Sequence, residues 1–113
     1  MLTKSDYELN MLAATGLMHW KLKDGSLFGS KLDLKYAAHE YSPLSNTTQF
    51  EDIKDKMQAR DYVFKVSEIN AGEMYEVSFA KYGEIFSYVD VSIARAGTIA
   101  ALLAYRQLVL DSP

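Results

Sequence analysis

Residues 62–91 read YVFKVSEINAGEMYEVSFAKYGEIFSYVDV and give the clearest indication of the fold. Apolar and polar side chains alternate in three short runs, which is typical of β-strands with one face against a core. Residues 70–73 and 82–84 each contain a glycine and are short enough for hairpin turns. The stretch therefore predicts a three-stranded antiparallel meander.

The alternation also predicts which side chains share a face of this sheet. We expect the core-facing residues to be Tyr62, Phe64 and Val66 in the first strand, Tyr75, Val77 and Phe79 in the second, and Ile85, Val89 and Val91 in the third. The opposite face is more apolar than a fully solvated face requires. Three candidates could cover it: an N-terminal helix, the segment before the second helix, or another copy of the protein.

A helix is predicted directly after the meander. Ser92 suits its N-cap position, and the helix is expected to run to about Leu110. Apolar residues surround most of its circumference, which is typical of a deeply buried helix. We therefore expect this helix to lie between layers or at an oligomer interface.

Two further helices and a short β segment are predicted upstream. Ser5 and Glu8 have the spacing of a capping box at the start of an N-terminal helix, which is expected to end between residues 16 and 20. Asp24-Gly25 is a turn signature that allows a short hairpin. Residues 31–36 alternate strictly, which indicates a half-buried strand or an ordered loop.

The second helix is indicated more clearly. Thr48 and Glu51 again have capping-box spacing. Phe50, Ile53 and Met57 recur on one face. The predicted class is therefore α+β, in the order helix, irregular or short β segment, helix, meander and C-terminal helix.

Composition narrows the classes of function. A chain of 113 residues is expected to form one domain over residues 1–113. The absence of cysteine excludes disulfides, thiolate zinc sites and a cysteine nucleophile. A net charge of −3 argues against general nucleic-acid binding. With no secretory signal and no long apolar run, a cytoplasmic protein without a membrane partner is expected.

Motifs of enzymes and metal sites are not found in the sequence. It contains no nucleotide fingerprint, phosphate-binding loop or nucleophile elbow. A mixed metal site of His39, Asp33 and Glu40 is less expected than three polar loop residues, because the spacing does not bring them together. We therefore expect no catalytic residue, no metal and no cofactor.

Binding features are somewhat stronger. Phe50, Phe64 and Phe79 are expected in the core. The remaining candidates for partial exposure are Trp20, Tyr36, Tyr41, Tyr82 and Tyr88.

The start of the last helix is a candidate anion site. Its free backbone amides lie near Ser92 and one turn from Arg95. An ordinary capped helix with a surface arginine is the commoner structure for such a pattern. Together with two aromatic candidates, the predicted ligand-binding residues are Trp20, Tyr88, Ser92 and Arg95.

Four short segments occur in an order known from one protein family. They are residues 17–20 (LMHW), 41–42 (YS), 50–57 (FEDIKDKM) and 100–104 (AALLA). In these segments the chain resembles the phage ABA sandwich domain family. His19 stands where that family tends to have glycine, and Pro43-Leu44 stand where it tends to have small polar residues.

The resemblance implies a small phage or prophage protein with a layered α/β/α sandwich, and it supplies no catalytic residues. Helices on both sheet faces would explain the apolar side chains on both sides of the strands. We expect a non-catalytic accessory protein in the cytoplasm of a bacterial host, one that sequesters a small anionic or nucleotide-like host molecule in counter-defence. The alternative is a homo-oligomeric protein-interaction module or an inhibitor of a host protein.

Overall fold

The structure, a computed structural model, describes residues 2–108, and its elements confirm the α+β class and the predicted order. None of the helices in this range is long and apolar enough to cross a membrane. The elements are α1 (Asp6–Leu12), which a π-helical segment (Ala13–Leu17) continues, β1 (Lys21–Lys23), β2 (Ser26–Phe28), β3 (Leu34–Ala37), a 3-10 turn (Ala38–Glu40), α2 (Thr47–Ala59), β4 (Val63–Ile69), β5 (Met74–Lys81), β6 (Glu84–Asp90) and α3 (Ile93–Ala104).

The meander forms as predicted, with β4, β5 and β6 paired antiparallel in that order. Its second turn has left-handed backbone at Tyr82 (φ 52°) and Gly83 (φ 82°). A two-residue turn of this kind matches the right-handed twist of the flanking strands. The resulting register places Phe64, Phe79 and Phe86 side by side in one row.

The prediction for the third strand of the meander was wrong about its faces. Phe86 lies opposite Phe79, so Phe86 belongs to the core-facing side. Ile85 and Val89 therefore lie on the other face, in the same set as Val63. Both sets of alternate residues in β6 are apolar, so the pattern alone could not choose between them, and the turn geometry fixed the register.

Helices α2 and α3 cover the face that carries the phenylalanine row, which we call the inner face. The Phe50 ring of α2 lies 6.1 Å from the Phe64 ring, measured between centroids. The same ring lies directly over Gly97 of α3. Because α3 contacts β5 and β6 on one side and the π-helical segment on the other, it is buried around most of its circumference. This confirms that the helix lies between layers.

The opposite face of the same sheet, which we call the outer face, carries Val63, Ala80 and Ile85 in one row. Val63 is 66% exposed and Ile85 is 70% exposed. In the described part of the chain, neither the N-terminal helix nor the segment before α2 covers these side chains. Within residues 2–108, helices therefore pack on one face of this sheet, and two of the three covers considered, the N-terminal helix and the segment before α2, leave these side chains exposed.

The N-terminal helix begins as its capping box predicts. The Ser5 hydroxyl accepts a hydrogen bond from the Glu8 amide, and the Glu8 carboxylate accepts one from the Ser5 amide, both at 3.2 Å. These bonds from the backbone and side chain of Ser5 lower the pKa of Glu8. The helical segment ends at Leu17, inside the predicted window.

Two predicted helix ends were wrong. Asn46, not Thr48, caps α2, and its side-chain oxygen accepts a hydrogen bond from the Gln49 amide at 3.0 Å. Helix α3 ends at Ala104, and the chain turns at Arg106 with φ 57°. Residue 110, where we expected the end of α3, lies outside the described residues.

The middle of the chain forms a second, smaller sheet. The predicted turn at Asp24-Gly25 joins β1 to β2, and β3 pairs antiparallel with β2. In the alternating segment 31–36 the strand begins only at Leu34, because Leu32 has left-handed backbone with φ 61°. Leu32 and Leu34 are both exposed, so this alternation does not indicate a buried face.

Candidate ligand-binding cleft

An open cleft of about 580 Å³ lies between the end of the π-helical segment, the loop after β2 and the side of α2. Its volume lies within the usual range of small-molecule sites, roughly 300–1,000 Å³. The lining residues are Met18, His19, Trp20, Gly29, Ser30, Lys31, Asp33, Lys35 and Lys56.

The end of the helical segment places Trp20 in the cleft wall. The Trp20 amide donates a hydrogen bond to the Ala14 carbonyl at 3.0 Å, which closes the last turn. His19 has left-handed backbone with φ 60°, so the chain reverses there before it enters β1. Glycine adopts this conformation without strain, whereas a residue with a side chain such as histidine adopts it less readily.

Three aromatic rings pack together behind the cleft. The Trp20 ring centroid lies 5.8 Å from that of Tyr36 and 5.1 Å from that of Tyr41, and the two tyrosine rings are 5.3 Å apart. Trp20 and Tyr36 are half-buried, as expected. The expectation of partial exposure for Tyr41 was wrong, because the other two rings and the core leave it only 2% exposed. These contacts restrict the orientation of the Trp20 ring.

Tyr41 has an unusual environment for its hydroxyl group. Its oxygen is buried and has no hydrogen-bond partner in the described part of the chain. Burial raises the pKa of the Tyr41 hydroxyl above its ordinary value, and the neighbouring Tyr36 adds to this effect. The hydroxyl therefore stays protonated in the folded protein at neutral pH.

Two buried amide side chains hold the loop that carries Tyr41. The Ser42 amide donates to the Gln49 side-chain oxygen at 2.6 Å, and the Leu44 amide donates to the Asn10 side-chain oxygen at 3.3 Å. The Asn10 amide group also donates to the Ser42 hydroxyl at 3.2 Å. Sequence reasoning missed both amides. The Tyr41-Ser42 pair was the one signal in the sequence that pointed to this loop.

The cleft carries an excess of positive charge. Three lysines and one aspartate are among its lining residues. The Lys35 ammonium lies 2.7 Å from the Asp33 carboxylate, and this contact lowers the pKa of Asp33. Within residues 2–108, Lys31 and Lys56 form no ion pair with an acidic side chain. Two ammonium groups are therefore available to an anionic ligand beside an indole ring.

At the start of α3, the predicted anion site, the side chains of Ser92 and Arg95 pair with groups of the chain itself. Ser92 caps the helix as expected, and its hydroxyl accepts from the Arg95 amide at 3.2 Å. The Arg95 guanidinium, however, lies 2.8 Å from the Asp6 carboxylate and 3.4 Å from that of Asp90. The hydrogen bond to Asp6 is the main reason that the pKa of Arg95 is raised.

Asp90 also binds the backbone at this helix start. Its carboxylate accepts a hydrogen bond from the Ser92 amide at 3.1 Å. Carboxylates of the chain itself thus pair with the Arg95 guanidinium and with the Ser92 amide. Tyr88, on the inner face of β6, is half-buried against the core.

The four predicted site residues do not form one site. Tyr88, Ser92 and Arg95 lie near the start of α3, where Arg95 reaches Asp6 at the beginning of α1. Trp20 follows the other end of the same helical segment, residues 6–17, which is on the order of 18 Å long. Only Trp20 lines the cleft. His19 and the lysines of the cleft were not predicted, because Lys56 comes from α2 and joins them only in three dimensions.

Histidine and carboxylate side chains do not cluster in the described part of the chain. No group of three such residues comes close enough there to hold a metal ion. Of the mixed set considered from sequence, Asp33 pairs with Lys35 instead.

The fold is similar to that of a phage protein from Bacillus cereus ATCC 14579, whose crystal structure matches with a TM-score of 0.74. The match covers 98% of this chain and 95% of that chain, with 16% sequence identity. No protein-family model matches the sequence, and no curated protein matches it either. At this identity the likeness concerns the fold alone, and membership of the phage ABA sandwich domain family stays a prediction.

Proposed function

We propose that this chain is a non-catalytic accessory protein of a phage or prophage and that its cleft binds a small nucleotide-like molecule. The observation that carries the proposal is that Trp20 lines one open cleft together with Lys31, Lys35 and Lys56. A nucleotide offers an aromatic base that stacks on such a ring and phosphate oxygens that accept from lysines. The similar fold of a phage protein supports the biological setting.

The aromatic side of the cleft is suited to stacking. Tyr36 and Tyr41 contact the Trp20 ring, and the loop that carries Tyr41 is held by buried hydrogen bonds. A ring that is already restricted loses little conformational entropy when a base stacks on it. This favours a ligand with a flat aromatic part.

The charged side of the cleft is suited to phosphate. Lys31 and Lys35 come from the loop after β2 and from β3, and Lys56 comes from α2, so two separate parts of the chain face the same space. The Lys35–Asp33 pair is exposed, and solvent screening leaves exposed ion pairs little net stabilisation. A phosphate group can therefore replace the Asp33 carboxylate at little cost.

Sequestering a host nucleotide would make the protein a counter-defence factor in the bacterial cytoplasm. A protein with this role needs affinity and capacity rather than turnover, which agrees with a site built from an aromatic ring and lysines. The proposal assigns no cofactor and no catalytic residue.

Isothermal titration calorimetry with linear and cyclic mono- and dinucleotides tests the proposal. We expect heat and a thermal shift with at least one phosphorylated ligand, and weaker binding at higher salt because lysines carry part of the affinity. Inorganic phosphate alone should bind more weakly than the nucleotide, since it lacks the stacking base. No heat and no thermal shift with any ligand of the panel would remove the proposal.

Variants locate the site within the protein. Lys35→Gln and Lys56→Gln should each weaken binding about tenfold, the loss expected for one charge-assisted hydrogen bond. Lys23→Gln removes a lysine that does not line the cleft and is the matched control. Trp20→Leu should weaken binding of the nucleotide more than that of inorganic phosphate.

Arg95→Gln separates the cleft from the start of α3. Because Arg95 is already paired with Asp6 and Asp90, this change should leave the affinity for the nucleotide unaltered. A loss of binding in Arg95→Gln together with normal binding in Lys35→Gln would place the ligand at the start of α3 and contradict the cleft proposal.

A protein-interaction module is the second candidate function, and one observation favours it. The outer face of the β4–β6 sheet leaves Val63 and Ile85 largely exposed. If the chain inhibits a host protein, that protein would bind to the same face.

A further inference from the structure

The outer face of the β4–β6 sheet is apolar over much of its surface. Val63, Ile85 and Val89 are 66%, 70% and 37% exposed, and Val91, which follows β6, is 68% exposed. Between them lie small side chains such as Ser78, Ala80 and Ser87. The exposed apolar side chains lie toward both ends of the strands, with the polar row of Lys65, Ser78 and Ser87 between them, and such a grouping on one sheet face is more than the isolated apolar residues that surfaces ordinarily carry.

The charges on this face are balanced. Within the described strands β4, β5 and β6, Lys65 and Glu76 are its charged residues, and both are exposed. A face with one charge of each sign does not attract nucleic acid or an anionic membrane, since both need a positive surface. A face that complements this one electrostatically carries an acid opposite Lys65 and a base opposite Glu76.

We propose that the outer face is the interface between two copies of this chain, which stack sheet on sheet about a two-fold axis. In a two-fold interface the same patch faces itself, so each contact occurs twice. Lys65 stands opposite Ser78 on β5, and Ser67 of the next row stands opposite Glu76. A two-fold axis that runs across the strands between these two rows exchanges them, and Lys65 of each copy then approaches Glu76 of the other.

The size of the face limits the contact that two copies can make. Strands about 4.8 Å apart with a rise of about 3.4 Å per residue give three strands of this length a footprint of roughly 14 by 24 Å. Allowing for side-chain relief, two copies would bury roughly 1,000 Å² in total, at the lower end for specific interfaces. The dimer should therefore form reversibly, with a dissociation constant in the micromolar range or above.

Sedimentation velocity over a range of concentrations is the first measurement. The full chain should change from monomer to dimer between roughly 1 and 500 μM. Ile85→Lys, which places a charge at the most exposed apolar position of the outer face, should keep the protein monomeric. Because Ile85 is largely exposed, circular dichroism should show that this variant is folded.

Charge reversal is the decisive measurement. Lys65→Glu gives an outer face with two acids, and Glu76→Lys gives one with two bases, so each variant alone should dimerise roughly tenfold more weakly than the wild type. An equimolar mixture of the two should associate again, and the double variant Lys65→Glu/Glu76→Lys should regain wild-type dimerisation. Lys23→Glu, a reversal on the other sheet, is the control and should change nothing.

Two results would overturn the proposal. One is a wild-type protein that stays monomeric at the highest concentration. The other is a dimer whose strength is the same in Lys65→Glu, in Glu76→Lys and in their mixture, since the interface would then lie elsewhere. Neither result bears on the cleft, because none of its lining residues lies in the β4–β6 sheet.

Discussion

The two faces of the β4–β6 sheet consist of alternate residues of the same strands and have opposite surroundings. On the inner face, Val77 and Phe79 are fully buried. On the outer face, Val63 and Ile85 are largely exposed. Both faces contain apolar residues, so hydrophobicity alone does not decide which one packs against helices. The inner face is buried because its row of phenylalanines packs against α2 and α3, which approach each other closely.

The close approach of α2 and α3 explains this choice. Gly97 has no side chain, which lets the Phe50 ring lie directly against the backbone of α3. The same ring then contacts Phe64 on the sheet. Helices that are joined in this way present one apolar surface, and the row of phenylalanines fills it.

The largest expected effect comes from breaking the inner face. Phe79→Ala removes a fully buried ring and should lower the free energy of unfolding by about 3–5 kcal/mol. Ser78→Ala, the next residue on the same strand, changes the outer face and should stay within about 0.5 kcal/mol. Urea denaturation at a low protein concentration measures both. Similar losses in the two variants would contradict the contrast between the faces.

Gly97 offers a smaller and sharper test of the same contrast. A methyl group at this position would overlap the Phe50 ring, so Gly97→Ala should lower the free energy of unfolding by about 1–3 kcal/mol despite its better helix propensity.

Gly16→Ala is the matched control for Gly97→Ala, because the atoms nearest to the new methyl group belong to the exposed Gln107 side chain, which can move aside, and not to a buried ring. It should leave the thermal midpoint unchanged or raise it. A stabilised Gly97→Ala protein would show that α2 and α3 do not depend on this close approach.

The smallest change in the free energy of unfolding is expected for the buried hydroxyl of Tyr41. Tyr41→Phe removes a hydroxyl without a hydrogen-bond partner and should change the stability by less than about 1 kcal/mol at pH 8. Because burial raises the pKa of Tyr41, the unfolded chain loses this proton near pH 10 while the folded chain keeps it.

The contribution of the Tyr41 hydroxyl to the free energy of unfolding is therefore fully present below about pH 10, and it is lost as the pH rises above that value. In urea denaturation at about pH 8 and about pH 10.5, Tyr41→Phe should lose less stability between the two values than the wild type. Tyr82→Phe, at a side chain that is 89% exposed, should behave as the wild type does. Equal losses in Tyr41→Phe and the wild type would mean that the hydroxyl reaches solvent.

Much of the fold could be predicted because its signals are local. The meander follows from alternation and glycine turns, and the Ser5–Glu8 capping box lies within one turn of helix. The faces of β6 could not be predicted, since both of its alternate sets are apolar. The end of α3 was missed because Arg106, not a glycine, takes the left-handed conformation there.

The cap of α2 depended on contacts that local spacing does not show. With Asn46 as cap, Gln49 lies where its side chain accepts from the Ser42 amide and donates to the Glu40 carbonyl. The position of the cap therefore depends on the hydrogen bonds between Gln49 and the loop before α2. The capping-box pattern at Thr48 does not show these bonds.

The candidate site was predicted less well, because its parts are distant in sequence. Trp20 was predicted as a ligand-binding residue, and the structure places it in the cleft wall. The ion pair of Arg95 with Asp6 joins the start of α3 to the start of α1, 89 positions apart in the sequence, and no local pattern indicates it. Lys56 reaches the cleft only through the packing of α2.

The π-helical segment Ala13–Leu17 behaves as an insertion that the fold has absorbed. Such a turn holds about one residue more than an α-helical turn. Deleting one residue there would restore α-helical winding and leave whatever follows at nearly the same angle around the helix axis, because five π-helical residues turn about as far as four α-helical ones. Trp20 would then keep its contacts with the rings of Tyr36 and Tyr41. The wide turn, more than any side chain in it, thus lets a chain with one residue more bring the indole ring to the same place.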